Sequence, residues 1–297
     1  MRRVDPSFLV AICLAALLAP LPARADARIE VVATFTILAD FVRNVGGDRV
    51  AVATLVGPGG DAHVYTPSPA DAKAVAAAKL VVVNGLGLEG WLPRLVKSSG
   101  GTARTVVATD GIVPLKEAGG HHNVDPHAWQ SVPNAKVYVE NIRKALAEAD
   151  PASAEVYRTN AERYAAQLDA LDRDIRAMVA RIPQSRRKVI STHEAFGYFA
   201  AAYGVTLIAP QGVSTDAEPS ARDLAAIIAQ IRKEKIPAVF LENISDPRLI
   251  RRVAAETGAR IGGTLYSDSL TDEKGEAPTY IDMVRHNIKT LQDALDR

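Results

Sequence analysis

A single cysteine, Cys13, occurs in 297 residues, so no disulfide framework holds this fold. Aromatic residues make up only 5% of the chain, which leaves no cluster able to line a wide cleft for haem or an iron chelate. An excess of charge is missing as well. The 35 Lys and Arg residues stand against 34 Asp and Glu, and this balance selects neither nucleic acid nor a strongly anionic membrane as a partner. Only one long apolar run exists, Phe8 to Leu21, and it is too short to span a bilayer. It follows Arg2 and Arg3 and precedes Ala23-Arg24-Ala25, the pattern of a secretory signal peptide over residues 1–25. Cys13 lies inside that run behind Ile12 rather than behind a small residue. The expectation is therefore a soluble, exported protein that is not lipid-anchored and whose mature chain has no thiol ligand for a metal.

What the sequence does contain is an alternation of short β-branched runs with longer helical patterns. Strands are expected at Ile29–Thr34, Val50–Val56, Leu80–Asn84 and Thr105–Ala108, then at Lys188–Thr192, Val205–Ile208, Ala238–Glu242 and Arg260–Leu265. Helical patterns between them include Ile37–Val45, Ser68–Ala78, Ala221–Glu234 and Pro247–Thr257. Strands separated by helices imply βαβ units and parallel sheets. The middle differs. A pattern from Pro133 to Ala149 ends at Asp150-Pro151, and a second, free of glycine, runs from Pro151 to Ile182 with apolar residues three, four and seven apart, as an amphipathic helix requires. The predicted fold is α/β: two lobes of parallel sheet flanked by helices, joined by one long rigid helix, with a cleft between the lobes. The expected division is an N-terminal lobe at 26–150, a connector at 151–182 and a C-terminal lobe at 183–297.

Four residues stand in loop-like stretches beside the apolar runs: Gly60-Asp61-Ala62-His63, Val124-Asp125-Pro126-His127, Ile190-Ser191-Thr192-His193 and Leu265-Tyr266-Ser267-Asp268. Three imidazoles and a carboxylate make a complete ligand set for a borderline-soft divalent cation, zinc above all. Asp125 is placed either to accept a hydrogen bond from an imidazole or to cap a turn. Trp129 either walls the site or anchors the lobes. His121 and His122, in a glycine-containing loop, read either as a solvated loop or as an accessory metal-capture site. His286 falls in a C-terminal helical pattern and reads as structural. A metalloprotease motif fails at His193-Glu194, because Gly197 stands where a second histidine is needed.

On these residues the chain resembles the metal-binding solute-binding proteins of ABC importers, the TroA-like zinc and manganese family. The similarity is carried by Asp61-Ala62-His63-Val64-Tyr65, Asp125-Pro126-His127-Ala128-Trp129, Thr192-His193-Glu194-Ala195-Phe196-Gly197, Gly212-Val213-Ser214-Thr215-Asp216 and Tyr266-Ser267-Asp268-Ser269-Leu270. The resemblance implies that His63, His127, His193 and Asp268 bind the metal between two lobes. Manganese-type members carry glutamate at the third position, so His193 points to zinc. Ala62 departs from the proline or threonine of relatives, which predicts a looser first turn, and the histidine-rich loop of zinc-type relatives is reduced to His121 and His122.

The function implied is capture of Zn(2+) as transported ligand in the periplasm by a monomer. Delivery would be to the permease subunit of an ABC importer in the inner membrane, with a metallochaperone as a further partner and no enzymatic activity. The alternatives are a manganese-binding protein of the same type and a zinc-dependent hydrolase with Glu194 as general base.

Overall fold

The computed structural model describes residues 28–116 and 124–296. The signal peptide, Cys13, His121 and His122 therefore lie outside the described residues. The first sheet is built from β1 (Ile29–Phe35), β2 (Val50–Val56), β3 (Leu80–Val83) and β4 (Arg104–Val107) in the order β2-β1-β3-β4. The second is built from β5 (Lys188–Ile190), β6 (Thr206–Ile208), β7 (Ala238–Glu242) and β8 (Arg260–Leu265) in the order β6-β5-β7-β8. The pairings are parallel in both, and the second order repeats the first with each strand advanced by four. Such sheets are buried on both faces, which is why Val31, Val32, Val81, Val82, Val189 and Val239 are all within 1% of full burial.

Helices cover the sheets: α1 (Thr36–Gly46), α2 (Pro69–Ala77) and α3 (Leu92–Ser99) on the first, α6 (Gly197–Tyr203), α7 (Ala221–Glu234) and α8 (Arg248–Thr257) on the second. Ser68 and Ser220 cap α2 and α7 through reciprocal bonds with Asp71 and Asp223, satisfying amides that the first turn leaves free. A long helix joins the lobes. After α4 (Val132–Ala149) the chain makes a tight 3-10 turn at Pro151–Ser153, and α5 runs from Ala154 to Arg181. The expected helix start at Pro151 is thus taken by that turn, where Asp150 accepts the Tyr157 hydroxyl at 2.9 Å. Tyr157, Ala161, Tyr164, Leu168, Leu171, Ile175 and Val179 form the buried stripe of α5.

A final helix, α9 (Tyr280–Leu295), returns from the second lobe to pack on α5 and α1. At that junction the buried carboxylate of Asp40 accepts from the Tyr280 amide at 3.1 Å and the Tyr164 hydroxyl at 3.2 Å. Burial pushes its pKa up to about 6 against the pull of those donors. One hydrophobic core runs through both lobes, and a smaller one lies under α7 and α8.

Candidate metal centre

The four residues singled out in the sequence converge. His63 lies in the loop between β2 and α2, His127 beside the turn Ala128–Gln130 ahead of α4, His193 just past β5, and Asp268 just past β8. One donor atom from each falls within 4.8 Å of the others. Nε2 of His127 is 3.2 Å from Nε2 of His63 and 3.3 Å from Nε2 of His193. Oδ2 of Asp268 is 3.3 Å from His63 Nε2, 3.2 Å from His193 Nε2 and 3.7 Å from His127 Nε2. An ion held tetrahedrally at about 2.0–2.1 Å by nitrogen and oxygen has ligand-to-ligand edges of about 3.3 Å. Four of these five distances match that edge length, and the fifth, between His127 and Asp268, is longer at 3.7 Å.

Asp268 and His193 are fully buried, as is His127, and neither Asp268 oxygen has a hydrogen-bond partner among the described residues. An uncompensated buried carboxylate costs several kcal/mol, so the arrangement calls for a cation. In its absence protons take that part. Burial alone would raise the Asp268 carboxyl, but His193 and His127 hold it well below the usual range. Burial lowers His127, and Asp268 with Asp125 outweighs it, pushing the imidazole up to about 9. His193 is likewise raised well above its ordinary value by Glu242 and Asp268 against the burial effect. His63, without such a carboxylate behind it, is lowered by burial despite its contact with Asp268.

The outer nitrogens are also held. Nδ1 of His127 lies 2.8 Å from Oδ1 of Asp125, which also accepts the His127 amide at 2.8 Å. Pro126 confines Asp125 to extended backbone and so favours that turn. Nδ1 of His193 lies 2.5 Å from Oε2 of Glu242, a contact at hydrogen-bonding distance but off the alignment of a well-formed bond. Glu242 was not singled out in the sequence. Its signal was weak: one acid ending the apolar run Ala238-Val239-Phe240-Leu241. Trp129 does both things expected of it, packing edge-on to His127 at 5.2 Å and donating Nε1 to Ser267 O at 2.9 Å across the lobes. The Ala62 turn is not loose. Ala62 is fully buried, its carbonyl accepts Trp91 Nε1 at 2.8 Å, and Asp61 holds the His63 amide at 2.8 Å. His286 bonds Thr264 O through Nε2 at 3.0 Å and packs edge-on against Tyr266, contacts of a structural kind. A cavity of about 120 Å³ lined by Leu86, Leu88, Pro126, Val213 and Asp216 reaches the cluster on its His63 side.

The family described as "Zinc-uptake complex component A periplasmic" matches residues 31–294. The iron-binding protein YfeA of Yersinia pestis is 38% identical over 272 residues, covering 91% of this chain and 87% of its own length. The manganese-binding lipoprotein MntA of Halalkalibacterium halodurans is 36% identical over 270 residues, covering 91% of this chain and 89% of its own. The structure of the periplasmic zinc binding protein TroA from Treponema pallidum superposes with a TM-score of 0.86 at 32% identity, covering 91% of this chain and all of that one. The lipoprotein names, which recur among relatives of Bacillus and Streptococcus, overturn the expectation of a chain that is not lipid-anchored. That expectation rested on one local feature, Ile12 ahead of Cys13, in a segment outside the described residues.

Proposed function

Because the chain belongs to the periplasmic zinc-uptake component A family, whose members are metal-binding solute-binding proteins of ABC importers and not enzymes, we propose that its cargo is zinc. His63, His127, His193 and Asp268 bind the ion, and the protein, a monomer, hands it to the importer's permease. The observation that carries this reading is the buried Asp268 carboxylate, without a hydrogen-bond donor among the described residues and facing three imidazole nitrogens at 3.2–3.7 Å. Four protein donors gathered within 4.8 Å of one another would fill a tetrahedral coordination sphere, whereas a catalytic zinc keeps one position open. Three nitrogens and one oxygen favour zinc over manganese, which prefers oxygen.

Manganese is the second reading, supported by relatives named for it. Simple competition does not separate the two, since most nitrogen–oxygen sites hold zinc more tightly than manganese. The test is to strip the purified chain, load it with each metal separately and count what survives gel filtration. One retained zinc per chain, lost in His193→Ala, together with manganese that washes off, is expected. Manganese retained at one per chain would overturn the zinc reading, and neither metal retained would overturn the site. The same column run reports the monomer.

A further inference from the structure

A neutral imidazole carries one N–H, and the nitrogen that holds the proton has no lone pair to give a metal. What lies against the outer nitrogen therefore decides whether the inner one can bind. At His193 that neighbour is Glu242. Its side chain is fully buried at the end of β7, the strand beside β5. Oε1 accepts the amides of Thr192 at 2.7 Å and His193 at 3.1 Å. This leaves Oε2 facing the outer nitrogen of His193, 2.5 Å from Nδ1, though off the alignment of a well-formed bond.

We infer that Glu242 is a specificity-determining positioning residue: its carboxylate selects the Nδ1–H tautomer of His193, so that Nε2 is presented to the ion as a fixed, unprotonated donor. The inference rests on the zinc-site reading above and deepens it. The two amide bonds hold the turn that carries His193, and the carboxylate lies against the outer nitrogen of its ring. With His193 withdrawn, the remaining His63, His127 and Asp268 plus solvent would form a more oxygen-rich site, and discrimination against manganese would shrink.

Glutamine at this position separates positioning from mere stapling. In Glu242→Gln the amide carbonyl keeps the two backbone N–H groups, which turns the NH2 toward Nδ1. That group can only donate, so Nδ1 must accept and the proton moves to Nε2, the atom the metal needs. In Glu242→Ala both backbone bonds are lost, but either tautomer is open. A staple predicts that alanine is the worse substitution; tautomer selection predicts that glutamine is.

The experiment measures zinc and manganese affinities of the mature wild type, Glu242→Gln, Glu242→Ala and His193→Ala by chelator competition, with the visible spectrum of the Co(2+)-loaded forms. Expected is a loss of zinc affinity of about 10–100-fold in Glu242→Gln, larger than in Glu242→Ala. The zinc-to-manganese ratio should narrow, and the strong tetrahedral cobalt band should weaken. Wild-type zinc affinity and an unchanged cobalt band in Glu242→Gln would overturn the inference, as would alanine being worse. Should Glu242→Gln fail to fold, 15N spectra of the zinc-loaded wild type test the same point. The His193 signal, identified by its loss in His193→Ala, should show a hydrogen-bonded proton on Nδ1, and metal on Nδ1 would overturn the inference. If the wild type itself binds no zinc, or His193→Ala binds as the wild type does, it is the site reading that fails instead.

Discussion

At the scale of single residues, the cluster exchanges protons for metal. In the metal-free protein His127 is raised to about 9 and His193 well above its ordinary value, while Asp268 stays ionised. At neutral pH two imidazolium ions thus stand in for one divalent cation. Metal binding must expel those protons, so affinity should climb with pH, by about tenfold per unit for each proton released, until pH passes about 9 at His127. That window is higher than the ordinary histidine range near 6.5 expected for exposed imidazoles. The stability of the metal-free fold has the opposite sign. A histidine whose pKa is raised on folding stabilises most below its unfolded value, 6.5, and loses that contribution as pH rises through about 9. Calorimetry of zinc binding in buffers of different ionisation enthalpy should count about two protons released near pH 7. An affinity that is flat between pH 6.5 and 9 would refute the exchange.

At the scale of elements, the two halves use one plan and load it differently. The donors His127 and Asp268 follow equivalent strands, β4 and β8, while His63 follows β2 and His193 follows β5. Helix α6 shows how an element without a donor still governs the site. A Cβ on Gly197, its first residue, would lie 2.4 Å from Oδ2 of Asp125, the carboxylate that holds His127. Gly197 does not use the left-handed backbone region, so alanine there adds a methyl group rather than backbone strain. Gly197→Ala should therefore push Asp125 off His127 and weaken zinc binding by about 10-fold or more with all four donors intact; unchanged affinity by chelator competition would show that Asp125 gives way freely. Parts of this plan were legible. Buried parallel strands read directly as β-branched runs, and His63, His127, His193 and Asp268 were visible because loops beside strand ends are where such folds place ligands. Glu242 and Gly197 were not, because their roles exist only once β7 pairs with β5 and α6 meets Asp125. The short helices α3 and α6 were also missed, as eight and seven residues give too few turns for a 3.6-residue period to show.

At the scale of the whole molecule, the question is how a buried ion leaves. A wide hinge would have to separate the lobes across a set of direct bonds. Trp129 Nε1 and Gln130 Nε2 both donate to Ser267 O, at 2.9 and 2.6 Å. The Leu270 amide donates to Thr36 Oγ1 at 2.8 Å, the Gly59 amide to Ser269 Oγ at 2.8 Å, and the Tyr280 hydroxyl to Trp129 O at 2.7 Å. Breaking any buried member without replacement costs about 1–3 kcal/mol, and α5, with neither glycine nor proline from Ala154 to Arg181, offers no point of bending. The Asp268 loop is moreover tied to the loop that carries His63 through Gly59 and Ser269, so these two segments shift together or not at all. The expected route of release is then displacement of a few side chains and loops around a nearly fixed frame. Small-angle scattering of the zinc-loaded and stripped protein should give the same radius of gyration within error. A clear expansion on stripping would mean that these interlobe bonds break in the metal-free state, and that the long helix is a hinge rather than a strut.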